Sequence, residues 1–490
     1  VWFWIDEGLS AGIAGHRLSA IPGLLRQDGS PPLYYLLLHG WIRAFGDGEV
    51  ALHAFSLVFA LACVPAAWWA GASLFGRRTG WIAALLAATN PFLTYYGREA
   101  RMYTLVALEA IVAVAAFLHV YARGRRRYLP LFVAALTLLL YTHNWGLFWV
   151  AGAGLALVPC WVLRRRERRA LVADAAIGFG LSAALFAPWL PTLAYQVRHT
   201  GAPWSRVPEL REAISEVGAV LGDERVLVAL LLVGGAGLAR ALGRDAADRS
   251  RQTVAVVALV TLFVTPLALS WTTSQFTPNW ATRYFAMIVG AALLLAAAGL
   301  ARAGRQGVAA LVLILLFWTH PLGRLTGLRE PPPLAQKSNV KAVAATFAPR
   351  LAPGDLVVVT HPEQVPVVRY YLGPRFTYAT PMGVVADPTV FDWRDVYDRL
   401  AATSVARDLR PLVDRLPVGA HLVLLGPVGQ TSKFDARTPR WFRLFFTRNA
   451  QWVAALEADP RLRLDLRVGY QTMDAAGTSL YGLLFTKTAP

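Results

Sequence analysis

Residues 104–122 read TLVALEAIVAVAAFLHVYA, and Arg123-Gly124-Arg125-Arg126-Arg127 follows without a break. A nearly uncharged run of this length, at about 1.5 Å of helical rise per residue, covers the ~30 Å of hydrocarbon in a bilayer. Arginines directly behind such a run mark its cytoplasmic end, because basic loops are retained on that side. The couplet recurs along the chain. Apolar runs lie near 50–74, 80–95, 104–122, 128–142, 145–163, 170–194, 224–242, 252–271, 284–301 and 307–321. Between alternate runs stand Arg77-Arg78, Arg123 to Arg127, Arg164 to Arg169, Arg240 to Arg251, and Arg302 with Arg305. With those clusters inside, ten crossings place 1–49, 96–103, the turn at His143-Asn144, 195–223, 272–283 and everything after 321 on the outside. The reading is a polytopic α-helical protein of the cell membrane.

Composition agrees. Of 490 residues, 56% are hydrophobic and 16% charged, against about a quarter charged in a soluble domain. The net charge of +18 sits in the short inter-run clusters, which is the pattern of membrane topology and excludes nucleic acid as the partner. Cys63 and Cys160 both fall inside expected spans, so no structural disulfide is expected, and no paired Cys/His spacing for zinc exists. The sequence starts without methionine and reaches Asp6-Glu7 almost at once. A preceding signal-anchor or first transmembrane helix is expected to be missing from it.

The outer segments are more than loops. Asp28-Gly29-Ser30-Pro31-Pro32-Leu33-Tyr34-Tyr35-Leu36-Leu37-Leu38 is too short to span, and its Pro-Pro pair suits a helix N-terminus. It reads as a helix lying along the outer leaflet. Ala187-Pro188-Trp189 through Pro203-Trp204 is rich in proline and in tryptophans that anchor at interfaces. After Glu330-Pro331-Pro332-Pro333 charge rises, and the chain's four lysines all lie beyond it. Helices over 339–347, 363–372 and 440–456 and strands over 355–360, 421–425 and 479–485 make residues 331–490 an extracytoplasmic α/β domain of three-layer type, following a transmembrane domain of 1–330. Residues 426–433 lack P-loop spacing, so no nucleotide site is expected there.

Polar residues that matter gather on the outer face. Asp6-Glu7 precedes the first runs, Arg98-Glu99-Ala100-Arg101 fills a tight loop, His143 sits in a turn, and Arg283-Tyr284 heads another run. Each has a structural reading: Asp6 as a helix N-cap, the loop as a local ion-pair cluster, His143 as a satisfied turn, and Arg283 as a snorkelling anchor. Together they suit one polar site, with a carboxylate base and cations for an anionic group.

Trp4-Ile5-Asp6-Glu7, Asp28-x-x-Pro31-Pro32-Leu33-Tyr34-Tyr35, Arg98-Glu99-Ala100-Arg101-Met102-Tyr103 and Arg283-Tyr284, in that order, resemble the GT-C glycosyltransferases. The closer likeness is to glycosyltransferase family 39 and the protein mannosyltransferase-like superfamily, which includes the lipid A aminoarabinose transferases. The resemblance covers residues 1 to about 321 and implies transfer of a sugar, with a mannose-like hexose favoured, from a polyprenyl-phosphate donor. The acceptor would be a protein, glycan or lipid hydroxyl outside the membrane, and the anomeric centre would invert. It implies Asp6 as the base, with Glu7 orienting the acceptor or holding the loop, and Glu99 binding acceptor or metal or fixing Arg101. Arg101 and Arg283, with Arg98 as a third, would meet the donor phosphate. Asp28, Tyr34, Tyr103, His143 and Tyr284 stand in or beside the motifs as candidates for substrate contact. Relatives often carry His or Lys just before the Pro-Pro pair where this chain has Ser30. That departure leaves a divalent metal open, with His143 or Asp28 as alternative ligands, and no other cofactor is implied. A relative that moves arabinofuranose or an aminosugar fits the same motifs. The reading from a different class is a lipid-linked sugar flippase or a non-catalytic assembly protein. A transporter is expected to place its charges near the midplane of broken, repeated helices, whereas here they lie at the outer edge.

Overall fold

The computed structural model describes residues 2–164, 167–242, 246–319, 337–429, 431–469 and 478–490. Three short helices, α1 (Ile5–Gly15), α2 (Ile21–Asp28) and α3 (Leu33–Phe45), precede the apolar runs, and α3 begins directly after Pro31-Pro32. Then follow α4 (Glu49–Phe75), α5 (Arg77–Thr89), α6 (Pro91–Tyr96), α7 (Tyr103–Phe117), α8 (Leu129–Thr142), α9 (Gly146–Leu163), α10 (Arg168–Phe186) and α11 (Leu190–His199). The series closes with α12 (Leu210–Val220), α13 (Glu224–Ala229), α14 (Gly235–Leu242), α15 (Ala246–Ser274), α16 (Val289–Arg302) and α17 (Gly304–Trp318). Helix stands at every expected apolar run. Among the described residues, six segments are long and apolar enough to cross a membrane: Glu49–Phe75, Tyr103–Ala122, Gly146–Leu163, Arg168–His199, Gln252–Ser274 and Thr282–Arg302. The chain is a multi-pass membrane protein.

Burial sorts these six. Tyr103–Ala122 and Thr282–Arg302 are 89% and 83% buried by protein, whereas the other four are 22–39% buried. The first two form the centre and the others present apolar flanks to lipid. Close packing of the central pair depends on Gly290, where a Cβ would lie 2.8 Å from the backbone of Ile111. Three expectations need correction or fall outside view. The run 80–95 is not one span. It breaks at Asn90, whose side chain accepts the Leu93 N–H at 3.0 Å and donates to the Val220 carbonyl at 2.9 Å. Pro91 then opens α6 where its missing N–H costs nothing. The end of the 307–321 run and the expected domain boundary at 330/331 lie outside the described residues.

The tail forms a mixed sheet in the order β3-β2-β1-β4-β6-β5. Its strands are β1 (Leu356–Val359), β2 (Thr377–Thr380), β3 (Gly383–Val384), β4 (His421–Pro427), β5 (Leu462–Val468) and β6 (Leu480–Lys487). β2, β1 and β4 run parallel, while β3, β6 and β5 pair antiparallel to their neighbours. Strand alternation makes three layers. Leu356 and Val358 pack with Leu412, Trp452 and Leu456. Val357 and Val359 face Val343, Phe347 and Val368 in a cluster continuous with the membrane core. The expected strands and helices of the tail are present; β2, β3 and β5 are additional. The sheet domain also clamps α1, since a Cβ on Gly8 would lie 2.7 Å from the Cβ of Val367 in the helix Val365–Leu372.

Candidate active site

Asp6 and Glu7 are neighbours that point to different surroundings. Trp4 occupies the N-cap position of α1, and both acids fall in the first turn, where the helix dipole favours negative charge. Asp6 is therefore not the capping residue. Glu7 reaches back instead, accepting the Trp4 N–H at 3.3 Å, the Ala100 N–H at 2.8 Å and a contact from His53 Nε2 at 2.7 Å. Its side chain is 1% exposed. Burial raises its pKa, opposed by His53 and the Ala100 N–H. Glu7 ties α1 to α4 and to the loop before α7.

Asp6, at 18% exposure, remains accessible and stands between two guanidiniums. Arg101 Nε and Arg283 Nε each lie 3.9 Å from Asp6 Oδ2, beyond hydrogen-bond length. Both Nε atoms are buried without a hydrogen-bond partner. Arg101 is otherwise fixed: its Nη1 donates to Tyr35 Oη at 3.1 Å, Ser10 Oγ at 3.2 Å and the Asp6 carbonyl at 3.4 Å. Arg283 is held by aromatic faces, 4.5 Å from the ring of Trp204 and 5.3 Å from that of Tyr284, the packing a guanidinium favours. Asp28 joins the same field. Burial raises its pKa, with Arg101 opposing. Two guanidiniums thus flank the Asp6 carboxylate.

Beside this cluster, Glu99 accepts the Trp4 Nε1–H at 3.0 Å and pairs with Lys337 Nζ at 2.8 Å. Lys337 also sits 4.4 Å from the Trp4 ring and 4.7 Å from that of Tyr95. Burial works against its ammonium, but Glu99 and Tyr95 outweigh it and raise the Lys337 pKa. The loop is thus not a local ion-pair cluster. Glu99 pairs with a lysine far along the chain, Arg101 turns to Asp6, and Arg98 is exposed. His143 packs 4.7 Å from Tyr284. Burial, then Arg101 and Arg283, push its pKa down to about 3. Its Nδ1 accepts the Trp145 N–H at 3.1 Å, so the neutral ring carries its proton on Nε2. Tyr103 is buried 6.4 Å from both His143 and Tyr284.

Tyr34 is fully buried against Tyr35 and Phe55, and its neighbour Tyr35 makes the contact to Arg101. Sequence reasoning missed Tyr35, Ser10, Trp204 and Lys337. Only Tyr35 carried a signal, its place in the Tyr34-Tyr35 pair. Among the described residues no group of three His, Cys, Asp or Glu is placed to hold a metal. Asp6 faces guanidiniums and Glu99 an ammonium, so these carboxylates do not fit a cation.

No protein-family model and no curated protein matches the chain. Solved structures do. ArnT from Cupriavidus metallidurans in the apo state aligns at TM-score 0.61 and 13% identity, over 98% of this chain and 93% of that one. The same protein bound to undecaprenyl phosphate aligns at TM-score 0.59, with the same identity and coverage. The arabinofuranosyltransferase AftD from Mycobacteria aligns at TM-score 0.45 and 16% identity, over 95% of this chain and 36% of that one.

Proposed function

We propose, from the GT-C fold that this chain shares with membrane glycosyltransferases, that it transfers a sugar from a polyprenyl-phosphate donor to a hydroxyl acceptor outside the membrane. The observation that carries the reading is the partly exposed Asp6 carboxylate, 3.9 Å from two guanidinium Nε atoms that lack hydrogen-bond partners. A buried donor left unmade is costly, and a phosphate oxygen would satisfy both. The ArnT structure that holds undecaprenyl phosphate supports a lipid phosphate as that anion. A mannose-like hexose is the sugar favoured by the resemblance to family 39.

In the reaction, the Asp6 carboxylate takes the proton of the acceptor hydroxyl as its oxygen bonds to the anomeric carbon. The bond from that carbon to the phosphate oxygen breaks, and the electron pair leaves with the polyprenyl phosphate. Arg101 and Arg283 stabilise the charge gathering there in a site shielded from water. Direct displacement inverts the anomeric centre. The proton on Asp6 passes to solvent when product leaves. Neutral His143 offers an Nε2–H donor for substrate, and Glu7 and Glu99 hold the frame without touching it. Placing this face and the tail outside the cell follows from the arginine clusters.

Asp6→Asn in reconstituted membranes should abolish sugar transfer from the lipid donor while binding of undecaprenyl phosphate persists. Arg101→Ala or Arg283→Ala should weaken that binding by roughly tenfold or more, the worth of one charge-assisted contact. Transfer at the native rate by the Asp6 variant, or unchanged lipid-phosphate affinity in both arginine variants, would refute the assignment.

A further inference from the structure

A separate cleft lies between the outer loops of the membrane half and the tail domain. It measures about 560 Å³, within the range of small-ligand sites. One wall is the segment after α11, including Pro203 and Arg206, with the turn at Pro278; the other is Trp393 to Asp398 and Arg437 to Trp441.

Its lip is built and braced. The Asp395 N–H donates to the His199 carbonyl at 2.8 Å, and His199 Nδ1 meets Asp395 Oδ2 at 3.2 Å. Arg437 pairs with Glu209 across the cleft. Asp395 is the one non-glycine described with positive φ, at 48°. Such a conformation persists where surrounding contacts impose it, often beside a ligand site.

The cleft and α1, which carries Asp6, share one apolar cluster. Trp393 and Trp441 belong to the apolar cluster that contains Ile5 and Leu9 of α1, with Trp4, Trp204 and Tyr397 partly exposed at its edge. Trp204, between the lining residues Pro203 and Ser205, covers the Arg283 guanidinium at 4.5 Å.

We infer that this cleft is the acceptor subsite and that the acceptor it takes is the end of a glycan. The inference rests on the proposed transferase reading. Its walls mix aromatic and proline surface with the carboxylates of Asp395 and Asp398 and the guanidiniums of Arg206 and Arg440. A sugar needs that mixture: its C–H face packs on rings, and its hydroxyls need both donors and acceptors. A phosphorylated acceptor would call for cations without the facing carboxylates. A lipid acceptor would call for an apolar groove running to the bilayer.

The test uses the full chain in lipid nanodiscs, an array of oligosaccharides of mannose, glucose, galactose and arabinose, and vesicles carrying undecaprenyl phosphate. The wild type should hold at least one oligosaccharide. Tyr397→Ala with Asp398→Asn, and separately Arg440→Ala, should each weaken that binding by about tenfold while undecaprenyl phosphate binding and melting temperature stay unchanged. No retained oligosaccharide, or equal retention by the cleft variants, overturns the inference, even if Arg101→Ala still loses the lipid phosphate. Loss of oligosaccharide in the cleft variants supports it. Lipid-phosphate binding untouched by both Arg101→Ala and Arg283→Ala would fail the transferase reading while leaving the sugar site standing.

Discussion

Asp6 and Glu7 differ by one position on a helix, a rotation of about 100°, and that rotation separates an accessible carboxylate from a buried brace. Spacing tells which side chains share a face; it does not tell what the facing elements bring. His143 makes the same point through its charge state. Its pKa of about 3 lies below the ~6.5 of an unfolded histidine. The folded ring therefore stays neutral while the unfolded one protonates as pH falls. Stability is fully retained above about pH 6.5 and drops as pH falls toward 3, by up to about 1.4 kcal/mol per unit. His143→Gln, which keeps an acceptor for the Trp145 N–H, should lose less melting temperature between pH 7 and pH 5 than the wild type, read by thermal unfolding in detergent. Equal losses would mean that His143 titrates freely. The sequence showed a polar residue at an outer turn. That two arginines and burial keep it neutral was not legible, because both arise from segments distant in the chain.

Helices carry the positions of these side chains, and α1 is the one on which the site depends. It is short, so its placement rests on contacts made by others: Gly8 against Val367 and the three groups that meet Glu7. Glu7→Ala would leave the buried Ala100 N–H and the partly buried Trp4 N–H and His53 without their shared partner. We expect a loss of roughly 3 kcal/mol or more, seen as a lower melting temperature, with Glu7→Gln intermediate because its amide oxygen still accepts. An unchanged melting temperature in the alanine variant would remove Glu7 as the brace. Most helices were readable from hydropathy, and the start of α3 from Pro31-Pro32. The expected run over 80–95 overlooks the break at Asn90, although Asn90-Pro91 marks it locally, with Asn90 capping Leu93 and Pro91 opening the next helix. Only the bond to Val220 comes from another element. β2 and β3 span four and two residues, too short to leave a periodic signal. β5, on the sheet edge, alternates apolar and charged residues from Leu462 to Val468, a local strand signal not counted among the expected strands.

For the molecule as a whole, the arginine clusters demand one orientation, and it is open to direct test. Both native cysteines are buried, so a single introduced cysteine reports its own side. In intact cells, Ser432→Cys in the tail should react with an impermeant maleimide, and Arg127→Cys, in a basic cluster, should react only after the membrane is opened. The reverse pattern would invert the topology and move Asp6 to the cytoplasmic face. The apolar runs, the basic clusters and the change of composition after the Glu330-Pro331 stretch were all readable from the chain, because a bilayer acts on local hydropathy and charge. So were Asp6, Arg101 and Arg283 as a set of polar groups on one side. Only the fold decided their partners. Trp4 meets Glu99 across 95 residues, and Lys337 meets it across 238. Such pairs form where packed helices bring distant segments together, and no pattern in the local sequence records that distance.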